Sequence, residues 1–441
     1  MIHWTAAQVA EAAGAVLARP GLHDTAGPTH AVIGSAEATP GALFFGIPGS
    51  RVDGGRYAPQ ALAAGAWGVV VTPTQVEAAK EAAPGVVLVA DDPLGALQSL
   101  AMAWRRELVD AGATVIGVTG STGKTTTKEL VAAMARTVAT THATLANFNT
   151  EIGLPLTILA APHGTRVLVL EMGMRGRGQI AELAHIGAPQ IGIVVNVGPA
   201  HLELMGSIEA IAREKGSLLD HLPPGGTAIT PAGESLLAPH RRDGVRWVTF
   251  GPGGDSTVEA LPTALGLGDR PAHVQLDAAA ALAAVRAAGL EPVGPLEELP
   301  GAGRGVEHPG VAGSTIIDDC YNANPMSMRA ALTELSRRQA PRRVAVLGDM
   351  LELGPDESTL HAELGELATA AGVGLLATVG PRSVIAASRF DGPVLHFATA
   401  PEAAQALPSQ IDHGDAILVK GSRGIGLEVV VEALQNPRED V

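Results

Sequence analysis

Thr114-Val115-Ile116-Gly117-Val118-Thr119-Gly120-Ser121-Thr122-Gly123-Lys124-Thr125-Thr126-Thr127 is the stretch whose reading decides the fold. A β-branched apolar run enters a glycine loop, and a helical pattern continues through Glu129 and Met134. A strand that runs into such a loop and then a helix wraps backbone N–H groups and a helix N-terminus around a polyphosphate. Lys124 then supplies a point charge for the terminal phosphates, and Thr125 the hydroxyl on the Mg²⁺ side. The loop is a variant, because Val118 stands where the strict GxxxxGK[ST] pattern has its first glycine. A phosphate loop names neither acceptor nor reaction, so the residues at neighbouring strand ends must. Glu171 closes the run RVLVLE and His201 follows IGIVVNVG, both at C-terminal strand ends, where open α/β sheets place ligands and where one metal could face both. Taken singly, Glu171 reads first as a solvated strand-end carboxylate and His201 as a hydrogen-bonded loop histidine.

Outward from this core, the same alternation recurs on both sides. Toward the N-terminus, LFFGI, WGVVV and GVVLVA are separated by Ala-rich stretches of helical length, as in a small parallel α/β unit. Toward the C-terminus, after the Pro- and Gly-rich segment EPVGPLEELPGAGRG, the runs STIIDD, RRVAVLGD, VGLLATVG and AILVKGS mark a further doubly wound unit. The expected fold is α/β, three domains in series: residues 1–107, 108–302 and 303–441. With 441 residues and 46% hydrophobic content, the chain is long enough for several cores.

Composition removes several function classes. A net charge of −15 argues against holding nucleic acid through phosphate neutralisation. A single cysteine, Cys320, excludes an intrachain disulfide framework and reads as a buried filler. No apolar run reaches the ~18 residues that span a bilayer, and the start of the chain does not read as a secretory signal, so no membrane insertion is expected and the cytoplasm is the expected compartment. The ending VKGSRGIG and the loop RGRG at Arg175 to Gly178 are decoys for a dinucleotide turn and a nucleic-acid contact.

Further strings then carry a resemblance. ANFNTEIGLPLT from Ala146, EMG from Glu171, NVGPAHLELMGS from Asn196 and AREKG from Ala212 follow the phosphate loop, and GR at Gly303, DDCYNANP from Asp318, LGDMLELG from Leu347 and KGSRG from Lys420 follow in the last third. In this order they resemble the Mur ligases of peptidoglycan synthesis over nearly the whole chain. YNANP with LGDMLELG points to the branch that adds D-alanyl-D-alanine, and folylpolyglutamate synthetases share the loop but not these strings.

The resemblance implies an N-terminal UDP-binding domain, a central ATPase-like parallel sheet and a Rossmann-like C-terminal domain. It implies ATP phosphorylating the terminal carboxylate of a UDP-N-acetylmuramoyl tripeptide to an acyl phosphate, which the amine of D-Ala-D-Ala attacks, in a monomeric enzyme whose third domain closes on the central loop. Glu171 and His201 match metal-contacting positions. Lys215 matches a lysine carbamylated by CO₂ as a ligand for a second Mg²⁺; unaided, it reads as a lysine on a solvated helix face. Asn147, Asn149 and Thr150 match a segment beside the acyl donor. Arg304, Asp319, Asn322 and Asn324 match nucleotide-facing positions, and Asp349 and Glu352 could hold the D-Ala-D-Ala ammonium. Two departures stand out. Gly34, Ser35 and Ala36 replace a uridine-side tripeptide that carries arginine, and the adenine-associated histidine and asparagine segment reads here as His273, Val274 and Asp277. Rival classes are a phosphate-loop kinase or hydrolase and a nucleotide-binding partner without turnover.

Overall fold

Three sheets covered by helices carry the chain in a computed structural model that describes residues 3–21, 26–296 and 305–435. The chain divides into two compact units, the first formed by Met1–Asn196, Glu214–Gly268 and Val274–Glu297.

The first unit holds two of the sheets. One consists of β1 (Val16–Arg19), β2 (His30–Val32), β3 (Ala42–Phe45), β4 (Gly68–Val71) and β5 (Val86–Val89) in the order β1-β5-β4-β3-β2. All pairs are parallel except β1 with β5. The expected runs LFFGI, WGVVV and GVVLVA become β3, β4 and β5. Every residue of β3 and β4 is buried, because a parallel strand covered on both faces has no side left for polar residues.

The other sheet consists of β6 (Thr114–Thr119), β7 (Thr141–Ala143), β8 (Val167–Glu171), β9 (Ile191–Val194), β10 (Thr227–Pro231) and β11 (Arg246–Phe250). Its order is β11-β10-β9-β6-β8-β7, parallel throughout. The chain leaves β6 to one side for β7 and β8 and returns to its other side for β9, so β6 lies at the reversal that opens a crevice at the strand ends. Helix Pro93–Asp110 contacts the first sheet and the helices Gly153–Ala160 and Gln179–Gly187 of the second. Its buried Trp104 donates Nε1–H to the Ala161 carbonyl at 3.0 Å.

The second unit comprises Val197–Arg213, Asp269–His273 and Glu298–Val441. Its sheet consists of β12 (Val306–Pro309), β13 (Thr315–Asp318), β14 (Arg343–Gly348), β15 (Leu375–Val379), β16 (Val394–Phe397) and β17 (Ala416–Lys420), in the order β12-β13-β17-β14-β15-β16. Only β12 runs antiparallel among these pairs. Helices Pro325–Ser336 and Glu357–Ala370 build one apolar layer with Met328, Leu332 and Leu364. Helices Ala400–Ala406 and Glu428–Gln435 build another with Ala403, Val430 and Leu434. Apolar layers of this kind are what a doubly wound sheet requires. No helix among the described residues is long and apolar enough to cross a membrane.

Candidate active site

Strand β6 ends at Thr119, and helix Lys124–Arg136 begins after four intervening residues. Between them Gly123 turns the chain at φ +75°, a left-handed conformation that glycine adopts without strain. Gly120 has no room for more: a Cβ there would lie 2.9 Å from the Val195 side chain. The N–H groups from Gly123 to Thr126 have no carbonyl in their own helix to reach, and Thr127 N–H makes the first helical bond, to Gly123 at 2.8 Å. Lys124 Nζ donates to the Gly120 carbonyl at 2.8 Å, folded back over the loop. Thr119 Oγ1 donates to the Met172 carbonyl at 2.9 Å, tying the loop to the end of β8.

Asn196, just past β9, is a brace that reading by motif missed. Its Oδ1 accepts from Ser121 N–H at 3.0 Å and Thr122 N–H at 2.9 Å, and its Nδ2 donates to Thr122 Oγ1 at 2.9 Å. Its signal was present in the sequence as the polar residue closing IGIVVN at a strand end. Asp277 reaches the loop from the other direction. Its carboxylate lies 2.9 Å from where a Gly123 Cβ would sit, and burial raises its pKa well above the usual carboxylate range. The protonated form that burial favours has the donor and acceptor of an asparagine side chain.

Glu171 is 2% exposed, not the solvated strand-end carboxylate that its sequence suggests taken singly. The register of β8 sets Glu171 beside Val118 of β6, so its side chain faces the loop. Its Oε2 accepts from Thr125 Oγ1 and its Oε1 from Asn149 Nδ2, each at 2.8 Å. Asn149 is held by its own backbone, its N–H reaching Asn147 O at 2.7 Å and its carbonyl accepting from Gly173 at 2.9 Å. Thr150 caps the following turn through Gly153 N–H at 3.4 Å. Asn147 is exposed, flanked by Leu145 and Phe148, which are exposed as well. Thr125 and Glu171 thus bring hard oxygen atoms together beside the phosphate loop, the donor type that Mg²⁺ prefers, while Asn149 steadies the carboxylate through its amide N–H.

Lys215 is 1% exposed, which overturns the solvated-face reading of the unaided sequence. Burial and then the charge of Lys124 push its pKa well below the ordinary lysine value, with Glu214 pulling the other way. Glu214 is already engaged: its carboxylate accepts from Gly178 N–H at 2.7 Å and Ile180 N–H at 2.8 Å, at the start of helix Gln179–Gly187. That helix N-terminus favours a negative charge. The result is a buried lysine inclined to be a neutral amine, the form that reacts with CO₂.

The remaining predicted residues lie in the second unit, apart from Arg304, which falls outside the described residues. His201 has φ +59° and precedes helix Leu202–Met205. Its Nδ1 bonds the Glu352 carboxylate, and Glu352 has φ +62°. Asp349, in the same loop as Glu352, is fully buried, and its Oδ1 accepts from Arg382 N–H at 3.0 Å and Ser383 N–H at 2.7 Å. Asp319 pairs at 2.7 Å with Lys420, a buried lysine that the sequence reading did not single out. Lys420 also donates to the Asn322 carbonyl at 2.9 Å. Asn324 caps helix Pro325–Ser336 by accepting from Ser327 N–H at 2.9 Å. Cys320 is buried, and burial raises its pKa, as befits packing rather than nucleophilic chemistry.

The chain matches the family models for the Mur ligase catalytic domain over residues 29–148, the Mur ligase middle domain over 118–264 and the Mur ligase glutamate ligase domain over 304–423. It is 38% identical to UDP-N-acetylmuramoyl-tripeptide–D-alanyl-D-alanine ligase of Synechocystis, across 90% of each chain. Among solved structures it resembles MurF of Acinetobacter baumannii, with a TM-score of 0.85, 28% identity and 98% of each chain covered. It also resembles MurF of Thermotoga maritima in complex with ADP, with a TM-score of 0.78, 28% identity, and 92% of this chain and 96% of that one covered.

Proposed function

The chain belongs to the Mur ligase family, and from that premise we infer that it is the ATP-dependent ligase that joins D-alanyl-D-alanine to UDP-N-acetylmuramoyl-tripeptide in peptidoglycan synthesis. In this chain the observation that carries the reading is the phosphate loop beside a buried carboxylate, Glu171, and a buried lysine, Lys215, inclined to be neutral. A simple phosphate-loop hydrolase has no use for such a lysine.

ATP transfers its terminal phosphoryl group to the peptide's end carboxylate, forming an acyl phosphate and ADP. The acceptor amine, once deprotonated, attacks the acyl carbon, and the tetrahedral adduct expels phosphate as the amide forms. The difficulty is bringing one anion onto another. Lys124 and the N–H groups from Gly123 to Thr126 meet that charge as it shifts. Thr125 and Glu171 would hold Mg²⁺ on the phosphates, where the ion supplies charge neutralisation and orientation. Carbamylation of Lys215 would add CO₂ to the neutral amine with loss of a proton, giving the buried side chain a carboxylate that would hold a second ion. His201 would be a further metal contact.

Asn147, Asn149 and Thr150 would border the acyl donor. Asp319, Asn322 and Asn324, with Arg304, would face the nucleotide, and Glu352 the acceptor's ammonium. For Asp349, enclosure within the protein favours a part in building that loop. Residues 1–107 would take the UDP moiety, 108–302 the ATP and 303–441 complete the nucleotide and acceptor contacts, in a cytoplasmic monomer.

The test is phosphate release measured with ATP and each substrate alone and together. Release only with both the UDP-muramoyl tripeptide and D-Ala-D-Ala is expected. Release without an acceptor would support a hydrolase, and none under any condition would support a binding protein.

A further inference from the structure

Glu352 and His201 are 151 residues apart in sequence, yet the carboxylate of one closes on Nδ1 of the other. We propose that Glu352 is a positioning residue for His201, fixing its Nδ1–H tautomer and ring orientation so that the lone pair lies on Nε2. This rests on the reading of His201 as a metal contact. A ring nitrogen that binds a cation needs its lone pair aimed, and the usual device is a carboxylate on the other nitrogen.

Three further observations support the assignment. Both residues hold left-handed backbone conformations, φ +59° and +62°, which a side-chain-bearing residue keeps only where its surroundings require it. The backbones are also tied, with Glu203 N–H donating to the Glu352 carbonyl at 3.2 Å. Finally, the loop presenting Glu352 is fixed along its length. The Asp349 carbonyl accepts from Ser422 N–H at 3.0 Å, and Leu351 N–H donates to Ser422 Oγ at 2.9 Å. Met350 N–H donates to Nε2 of the buried His361 at 3.0 Å, and His361 in turn donates from Nδ1 to the Glu357 carbonyl at 2.8 Å. Asp349 secures the neighbouring turn through Arg382 and Ser383. A carboxylate carried on so fixed a loop can set the angle of an imidazole, and one oxygen remains for the acceptor.

The experiment has two arms. In the metal-free protein, long-range ¹H–¹⁵N correlation of the histidine side chains should show His201 as the Nδ1–H tautomer, and Glu352→Ala should abolish that preference. In the kinetic arm, ADP formation from ATP and the UDP-muramoyl tripeptide is followed in a single turnover without D-Ala-D-Ala. Glu352→Ala should slow it, or raise its Mg²⁺ requirement, by roughly 10- to 100-fold, with partial recovery in Glu352→Gln, which keeps an acceptor oxygen. An unchanged His201 tautomer, or an unchanged half-reaction with only the KM for D-Ala-D-Ala raised, would overturn the proposal. Should His201→Ala itself leave the half-reaction intact, the reading of His201 falls instead, and the tautomer arm still decides whether Glu352 governs the ring.

Discussion

Lys215 and Lys420 are buried to the same degree, yet their surroundings treat the charge in opposite ways. Lys420 closes on Asp319 at 2.7 Å and on a carbonyl at 2.9 Å. Lys215 has Lys124 acting against it, while Glu214 is taken up by a helix N-terminus. Burying a charge without a partner is expensive, so a fold that does so either neutralises the group or awaits a ligand. The contrast separates a lysine whose charge is paired within the C-terminal unit from one whose charge is disfavoured in the phosphate-loop unit.

The largest expected effect comes from removing the loop's own cation. Lys124→Met should lower the ligation rate by about 1,000-fold, read as phosphate release, because it takes away charge stabilisation where the transferring phosphoryl group develops it. Lys215→Met should come next, with activity reduced by at least about 100-fold and partly restored by added short carboxylates that stand in for a carbamate. The same variant should also change stability. Because the folded-state pKa of Lys215 lies below its unfolded value, the unfolded chain binds the extra proton between the two, and wild-type stability rises with pH across that window. Lys215→Met should be more stable at neutral pH and lose that slope, as measured by urea midpoints over a pH series.

Lys420→Met should do the reverse, lowering stability by about 3 kcal/mol in urea unfolding, since it leaves Asp319 and two carbonyls without their donor. A stabilised Lys420→Met would erase the distinction. The smallest effect belongs to Asp277→Asn. With its folded pKa raised, Asp277 keeps a proton that the unfolded chain loses, so stability falls as pH climbs from the unfolded carboxylate value to the folded one. The asparagine variant should remove this fall, with catalysis within about twofold, because the neutral acid and the amide offer the same donor and acceptor.

How much of this was legible beforehand follows burial. Central strands such as β4, β6 and β14 are covered on both faces, so they read as unbroken apolar runs, and the glycine loop between β6 and its helix was legible from its residue spacing. Strands β1, β12 and β16 lie at sheet edges, where part of each strand stays exposed, so no apolar run announced them. At the site, residue type and order exposed Lys124, Glu171 and the family strings. Burial of Lys215, the commitment of Glu214 and the closing of Glu352 on His201 depend on contacts between distant segments, which no local spacing encodes. Asp349 shows the converse: a carboxylate in a motif whose enclosure only the packing of the turn at Gly380–Ser383 reveals.

The contrast between Lys215 and Lys420 is tested most directly by ¹³C NMR of the protein equilibrated with ¹³C-labelled bicarbonate. A carbamate resonance that is present in the wild type, grows as pH rises and the amine loses its proton, and is absent from Lys215→Met is the predicted result. A wild-type protein that shows no such resonance and turns over at its full rate in CO₂-free buffer would contradict it.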